Sequence, residues 1–294
     1  MSRFSFTDLI TLPWNQVLHR RPLLASCKLT YRCNLTCRQC PFYQMEGKDP
    51  TYEEVLHTLD TLQARGSRLI IFEGGEPMLW RDHDRNIHDV VRAARDRFAA
   101  VGMTTNGTLP LDVETDILWV SVDGFRETHN TLRCADVFER IIANLRASSH
   151  PRCYAHVTVN NVNHRQIPEL VQFLAGMTSG VTIQFYYPYN QQDDLFLPFA
   201  ERAHLLDELI ALKRSGLPIL NSIPALRALK YNTWCCSDWL IDNANPDGSL
   251  AQGCYLKGRA DIDCSRCGFS PHTEASLAFR GNPAAILAGL RIFM

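Results

Sequence analysis

The sequence predicts an α/β fold: a partial (β/α)6 TIM-like barrel carrying a small cysteine-rich C-terminal extension. Three observations carry that prediction. Between residues 26 and 220 short apolar runs alternate with amphipathic helical patterns, as in a parallel sheet built from right-handed βαβ units. The units number six, short of the eight that close a full barrel, and a doubly wound open sheet is the competing arrangement. Polar or glycine-rich residues stand at the C-terminal end of each run, the edge where both architectures bind ligands.

In chain order, residues 1–25 are a leader that mixes Phe4, Phe6, Leu9, Trp14 and Leu18 with Arg20 and Arg21. It is expected to pack on its own domain, with a peripheral membrane contact through an amphipathic helix as the alternative. Residues 26–220 are the core domain. Strand patterns cover 24–30, 68–75, 101–105, 116–124, 153–160 and 181–188. Helical patterns cover 51–66, 88–100, 136–148, 167–177 and 201–216, the first with Thr51 as its N-cap. The strands end, in turn, in the Cys33–Cys40 loop, Glu73-Gly74-Gly75-Glu76-Pro77, Thr104-Thr105-Asn106-Gly107, Ser121-Val122-Asp123-Gly124, Asn160-Asn161 and Tyr186-Tyr187-Pro188-Tyr189. Residues 221–294 form the extension and hold five of the eleven cysteines.

Hydrophobic content of 46% and charged content of 21% describe an ordinary globular chain. A formal net charge of −1 gives no global attraction to nucleic acid, and no such partner is expected. No apolar run approaches a membrane span, and no secretory signal precedes the cysteines. The cytoplasm is therefore the expected compartment, and metal binding the expected use of clustered thiols.

Cys33, Cys37 and Cys40 are spaced C-x3-C-x2-C. A [4Fe–4S] cluster held wholly by protein takes four thiolates. Three leave one iron open, and an open metal position marks a place for chemistry. A structural zinc or three unliganded thiols are the alternatives. Gly74-Gly75 permits close main-chain approach. Glu76 is a candidate acceptor for a cationic amine, and Asn106 and Ser121 are candidates for ribose hydroxyls or a carboxylate. Asp123 is acceptor-only when ionised.

Together and in this order, the cysteine loop, Gly74-Gly75-Glu76-Pro77, Thr105-Asn106-Gly107 and Ser121-Val122-Asp123-Gly124 resemble the radical S-adenosylmethionine (radical SAM) superfamily. The resemblance implies an enzyme that reductively cleaves SAM at a [4Fe–4S] cluster to generate a 5′-deoxyadenosyl radical, inside an apolar barrel with few acid–base groups. It implies that Cys33, Cys37 and Cys40 ligate three irons and that SAM chelates the fourth. Gly74, Gly75 and Glu76 are implied at the methionine amine, Thr104 or Asn106 with Ser121 and Asp123 at the carboxylate and ribose, and the main chain of Phe42 at the adenine. Many members carry an aromatic residue where this chain has Gln39, so no side-chain contact to adenine is expected there. Flavodoxin or ferredoxin is the implied electron donor.

In the extension, Cys264 and Cys267 with Cys254 and Cys236 (or Cys235) form a candidate four-thiolate site. A second iron–sulfur cluster, a structural zinc and buried unliganded thiols are the readings. Auxiliary clusters of the SPASM and twitch type are the family precedent, without a clean match in spacing. Ser121 to His129 with Cys134 beyond, and Trp234 to Leu256 around Asn245-Pro246 and Gly253-Cys254, are similar to the hopanoid adenosyltransferase branch. That similarity implies a lipid, isoprenoid or other small-molecule substrate. A maturase that modifies a peptide or protein is the alternative, and a non-catalytic iron–sulfur or zinc protein a further one. Cys134 is a candidate hydrogen-atom donor, Arg133 a candidate ligand of the SAM carboxylate or a substrate anion, and Tyr186, Tyr187 and Tyr189 candidate pocket lining.

Overall fold

The structure is a computed structural model that describes residues 19–189 and 194–294; the greater part of the 1–25 leader lies outside the described residues. Eight strands form the main sheet: β1 (Leu24–Thr30), β2 (Leu69–Gly74), β3 (Ala100–Thr105), β4 (Ile117–Ser121), β5 (Cys153–Val159), β6 (Val181–Phe185), β7 (Ile241–Ala244) and β8 (Leu250–Gln252). Their order is β8-β7-β1-β2-β3-β4-β5-β6. All neighbours are parallel except β7 and β8, which pair antiparallel. The helices are α1 (Tyr52–Arg65), α2 (Ile87–Arg95), α3 (Arg126–Arg133), α4 (Phe138–Ala147), α5 (Ile167–Ala175), α6 (Phe199–Arg214), α7 (Ile223–Leu229), α8 (Ser270–Phe279) and α9 (Pro283–Phe293).

The six strands expected between residues 24 and 188 are present, in sequential order, as an open parallel barrel. The extension is not a separate layer. Its strand β7 pairs with β1 in parallel register, Cys27 opposite Ala244, and Arg65 of α1 forms an ion pair with the buried Asp242 of β7. This strand was hidden because Ile-Asp-Asn-Ala presents no apolar run. Helix starts follow local chemistry: Thr51 and Glu54 form a reciprocal capping box at α1, as do Asn86 and Asp89 at α2. Among the described residues, no helix is long and apolar enough to cross a membrane.

Alternate strand residues face opposite sides. One set, including Cys27, Leu29, Ile70, Phe72, Val101, Met103, Val120, Val157 and Ile183, is buried against the helices. The other set faces the barrel interior. At its N-terminal end, Leu69, Ala100, Ile117, Trp119 and Tyr154 close a floor with Ile292 and Phe293 of α9, Trp119 and Phe293 meeting edge to face at 6.2 Å. Above that floor the interior residues are Ser26, Lys28, Glu73, Thr104, Ser121, His156, Thr158, Thr182 and Gln184. The expectation of an apolar interior is thus corrected: only the floor is apolar. The alternation was present in Leu24–Thr30, where Ser26 and Lys28 share a face.

Candidate active site

The cysteine loop is positioned by a close main-chain approach. Gly75 N–H donates to the Thr30 carbonyl at 2.8 Å, and Glu76 N–H to that of Arg32 at 2.9 Å. A Cβ at Gly75 would lie 2.1 Å from the Arg32 carbonyl oxygen, so only glycine fits against the chain entering Cys33. Gly74 has φ 127°, a conformation glycine alone adopts without strain.

Glu76 has a role other than the one expected. It is fully buried, and its carboxylate accepts from Thr105 Oγ1 at 2.9 Å, Asn106 N–H at 2.7 Å and Met78 N–H at 3.2 Å. Burial raises its pKa, against those bonds. Fully enclosed and holding three protein donors, the side chain ties the end of β2 to the end of β3. Asn106 differs similarly. Its amide donates to Asn34 Oδ1 at 2.8 Å and lies 3.8 Å from Cys33 Sγ, while its oxygen accepts from Thr108. Thr104 and Ser121 stand on the luminal face, and their hydroxyls have no protein partner among the described residues.

Asp123 is the second buried anchor. It accepts from Gln39 Nε2 at 2.6 Å and from Thr158 N–H at 2.9 Å, and pairs with Arg133 at 2.6 Å. Gln39, which sequence reasoning regarded as a missing aromatic, thereby links the cysteine loop to the end of β4. Arg133 Nη1 in turn lies 3.8 Å from Cys37 Sγ. Burial alone would lower its pKa, but Asp123 and Cys37 outweigh that and raise it, so it is a fixed cation beside a thiol. Cys134 does not join this group: exposed, in the left-handed conformation at φ 55°, its thiol contacts the Thr131 carbonyl of its own helix. The expectation of a hydrogen-atom donor near the site is corrected accordingly.

The three loop thiols lie within one another's electrostatic field. Burial pushes Cys40 up to about 11, with Cys37 and Cys33 adding to the rise. Burial also raises Cys33 and Cys37. The extension shows a parallel grouping. Burial pushes Cys236 up to about 12, with Asp238, Cys267, Cys254 and Cys264 adding. Burial likewise pushes Cys267 up to about 11, with Cys254 and Cys264 adding. Cys236, Cys254, Cys264 and Cys267, the four thiols grouped from sequence, thus act on one another electrostatically. Among the described residues no three His, Cys, Asp or Glu side chains converge closely enough for one metal ion.

The extension is held to the C-terminal strand edge. Phe185 N–H donates to the Gly268 carbonyl at 3.0 Å, and a Cβ at Gly268 would meet the Phe185 Cβ at 2.5 Å. Tyr187 donates its hydroxyl to the Asp261 carbonyl at 2.6 Å and accepts from Asp263 N–H at 2.9 Å, so it fastens the extension rather than lining a pocket alone. A cavity of about 670 Å³ opens between Tyr187, Pro188 and residues of the 258–266 stretch.

Inside the lumen, Lys28 Nζ donates to Glu73 Oε1 at 3.0 Å, to Asn243 Oδ1 at 3.3 Å and to Ser26, and lies 4.3 Å over the Tyr255 ring. Burial lowers it to about 8 despite Glu73. His156 shares a bond with Thr182 Oγ1 at 2.8 Å, and burial lowers it to about 4, which keeps the imidazole neutral. Phe42 stacks on Tyr31, centroids 6.2 Å apart, and meets Tyr255 edge-on.

Sequence and structure comparisons agree with this geometry. The sequence model of the Radical SAM superfamily matches residues 27–174. The Fe-coproporphyrin III synthase of Methanosarcina barkeri is 29% identical over 163 residues, 50% of this chain and 39% of that protein. The tungsten-containing aldehyde ferredoxin oxidoreductase cofactor-modifying protein of Pyrococcus furiosus is 27% identical over 218 residues, 65% of this chain and 60% of that protein. The chain therefore spans less than two thirds of the length of either relative. Among solved structures, Streptococcus suis SuiB bound to S-adenosylmethionine matches with a TM-score of 0.67 at 14% identity, over 99% of this chain and 75% of that one. The anSMEcpe structure with bound AdoMet and a peptide matches with a TM-score of 0.61 at 17% identity, over 89% and 83%. At such identities these two structures show the shared fold.

Proposed function

The chain belongs to the radical SAM superfamily, and from that premise we propose that it is a two-centre enzyme that oxidatively modifies a polar substrate of the peptide class. The family's cofactors are a [4Fe–4S] cluster and SAM; the reduced cluster, when bound, supplies the electron that cleaves SAM. Cys33, Cys37 and Cys40 would hold three irons. The residues around them suit that charge: Asn106 and Arg133 direct N–H groups at the Cys33 and Cys37 sulfurs, the kind of contact that tunes an iron–sulfur centre. Main chain at Gly74 and Gly75 would meet the methionine amine, Thr104 and Ser121 the carboxylate and ribose, and main chain at Phe42 the adenine. Cys236, Cys254, Cys264 and Cys267 would hold a second cluster.

The observation that carries the substrate class is the polar wall above the barrel floor. Glu73 has one carboxylate oxygen bound to Lys28 and Ser26 and the other without a protein partner among the described residues. Neutral His156 shares that wall. A hydrocarbon chain lying there would desolvate these groups without replacing their hydrogen bonds, at about 1–3 kcal/mol each. A peptide offers amide donors and acceptors instead, which favours the maturase reading over the lipid one. SuiB has also been solved bound to its precursor peptide. A flavodoxin or ferredoxin would supply the electron, and the reducing cytoplasm suits eleven cysteines.

Anaerobic reconstitution with iron and sulfide, then dithionite, SAM and a peptide library, tests the proposal. We expect 5′-deoxyadenosine and a peptide that has lost two hydrogens. A preparation with an intact cluster that forms no 5′-deoxyadenosine overturns the catalytic reading, and turnover on isoprenoids but not peptides overturns the substrate class.

A further inference from the structure

Arg202, on α6, is fully buried and forms no ion pair with any carboxylate among the described residues. Its Nη1 donates to the Cys267 carbonyl at 2.9 Å. Its guanidinium lies against the rings of Phe185 at 4.5 Å, Phe199 at 4.7 Å and Phe196 at 5.4 Å, and Nε and Nη2 have no hydrogen-bond partner among the described residues. A guanidinium remains a cation at neutral pH.

Aromatic faces offset part of the cost of burying that charge. They do not replace an anion, and a buried charge without one is strongly unfavourable. The missing partner is to be sought where the guanidinium is anchored, at Cys267. Four cysteinates around a [4Fe–4S] core make a net dianion, and nearby positive charge stabilises its reduced form.

We propose that Arg202 is the charge-compensating partner of the iron–sulfur centre held by Cys236, Cys254, Cys264 and Cys267, and that it raises the reduction potential of that centre. This rests on the second-cluster reading above. It assigns the residue a role at a group it need not ligate, acting through the Cys267 segment.

The test uses the full-length chain with Cys33→Ala, Cys37→Ala and Cys40→Ala, reconstituted anaerobically, so that the C-terminal centre alone remains. Iron and acid-labile sulfide content are measured first; their absence overturns the second-cluster reading and this inference with it. With the centre present, Arg202→Met and Arg202→Lys are compared by redox titration followed by electron paramagnetic resonance. The expected result is a midpoint potential lower in Arg202→Met and near the parent in Arg202→Lys. Equal potentials in all three, or an equal drop in both variants, overturn the inference. Should Arg202→Met fail to load, thermal melts of the metal-free proteins decide. A melting temperature at or above the parent supports removal of an uncompensated charge, and a lower one shows that Arg202 merely pins the Cys267 carbonyl and overturns the inference.

Discussion

The two cysteine groups of this molecule are built in opposite ways. Cys33, Cys37 and Cys40 lie within eight consecutive residues, and protein contacts tie their surroundings together. Gly75 wedges against Arg32, Glu76 fastens β2 to β3, and Asp123 clamps both Gln39 and Arg133. Cys236, Cys254 and Cys264–Cys267 come from three separate stretches, with Cys264 exposed and with Arg202, at the Cys267 carbonyl, in no ion pair among the described residues. The difference teaches that the first group is preorganised by protein contacts, whereas the second, in the proposed reading, would draw its cohesion from its ligand, in the way metal binding and folding are coupled in small metal sites.

The strongest break between the two is chemical. Replacing Cys33, Cys37 and Cys40 with alanine is expected to abolish 5′-deoxyadenosine formation while leaving iron and sulfide at the C-terminal group, as read by metal analysis and chromatography. Next in size, Arg133→Met strips the buried Asp123 of its cation and should cost about 3–5 kcal/mol in chemical denaturation, even in the metal-free protein.

A pH dependence sharpens the comparison from the other side. Glu274 on α8 accepts from Ser222 N–H at 2.6 Å and from its hydroxyl at 2.8 Å, and burial raises its carboxyl to about 7. With the folded pKa above the unfolded one, its contribution is fully present below the ordinary glutamate value and is lost as pH rises towards about 7. His156 and His272, which burial lowers to about 4, act in the opposite sense. The readout is therefore the difference between wild type and Glu274→Gln in thermal melts, which should shift against the wild type by on the order of 3 kcal/mol across the window. A difference that does not change with pH contradicts this.

Gly75→Ala forces a Cβ onto main chain and should cost about 1–3 kcal/mol, with reduced cluster loading at the loop and normal loading at the extension. The smallest effect is expected from Cys264→Ala. In the metal-free protein this exposed side chain should contribute under about 0.5 kcal/mol, and its loss should show only after reconstitution, as lower iron content. A large destabilisation of the metal-free protein would show that the extension is preorganised after all.

Much of this fold was legible because parallel strands announce themselves by apolar runs, and their ends carried the motifs in order. The capping Thr51 was legible for the same local reason. Glu76, Asn106 and Asp123 were misjudged because a polar residue at a strand end looks available until its long-range donors are known. Thr105 and Arg133 are such donors, and Asn34 is the acceptor of the Asn106 amide; no spacing rule names them. Ser26 and Lys28 were readable as one polar face, yet the segment was taken as a buried run. Arg202 gave no signal at all: an arginine in an amphipathic helix is ordinarily solvated, and only the folded chain encloses it between three rings.

Trp119 and Phe293 close the floor of the barrel, and this bears on the timetable of the reaction. A vessel sealed at its base fills and empties through one rim. Whatever lies deepest must arrive first and depart last, so the co-substrates are bound to queue. Initial-rate kinetics with product inhibition should show a compulsory order, and a random order would mean that the base leaks.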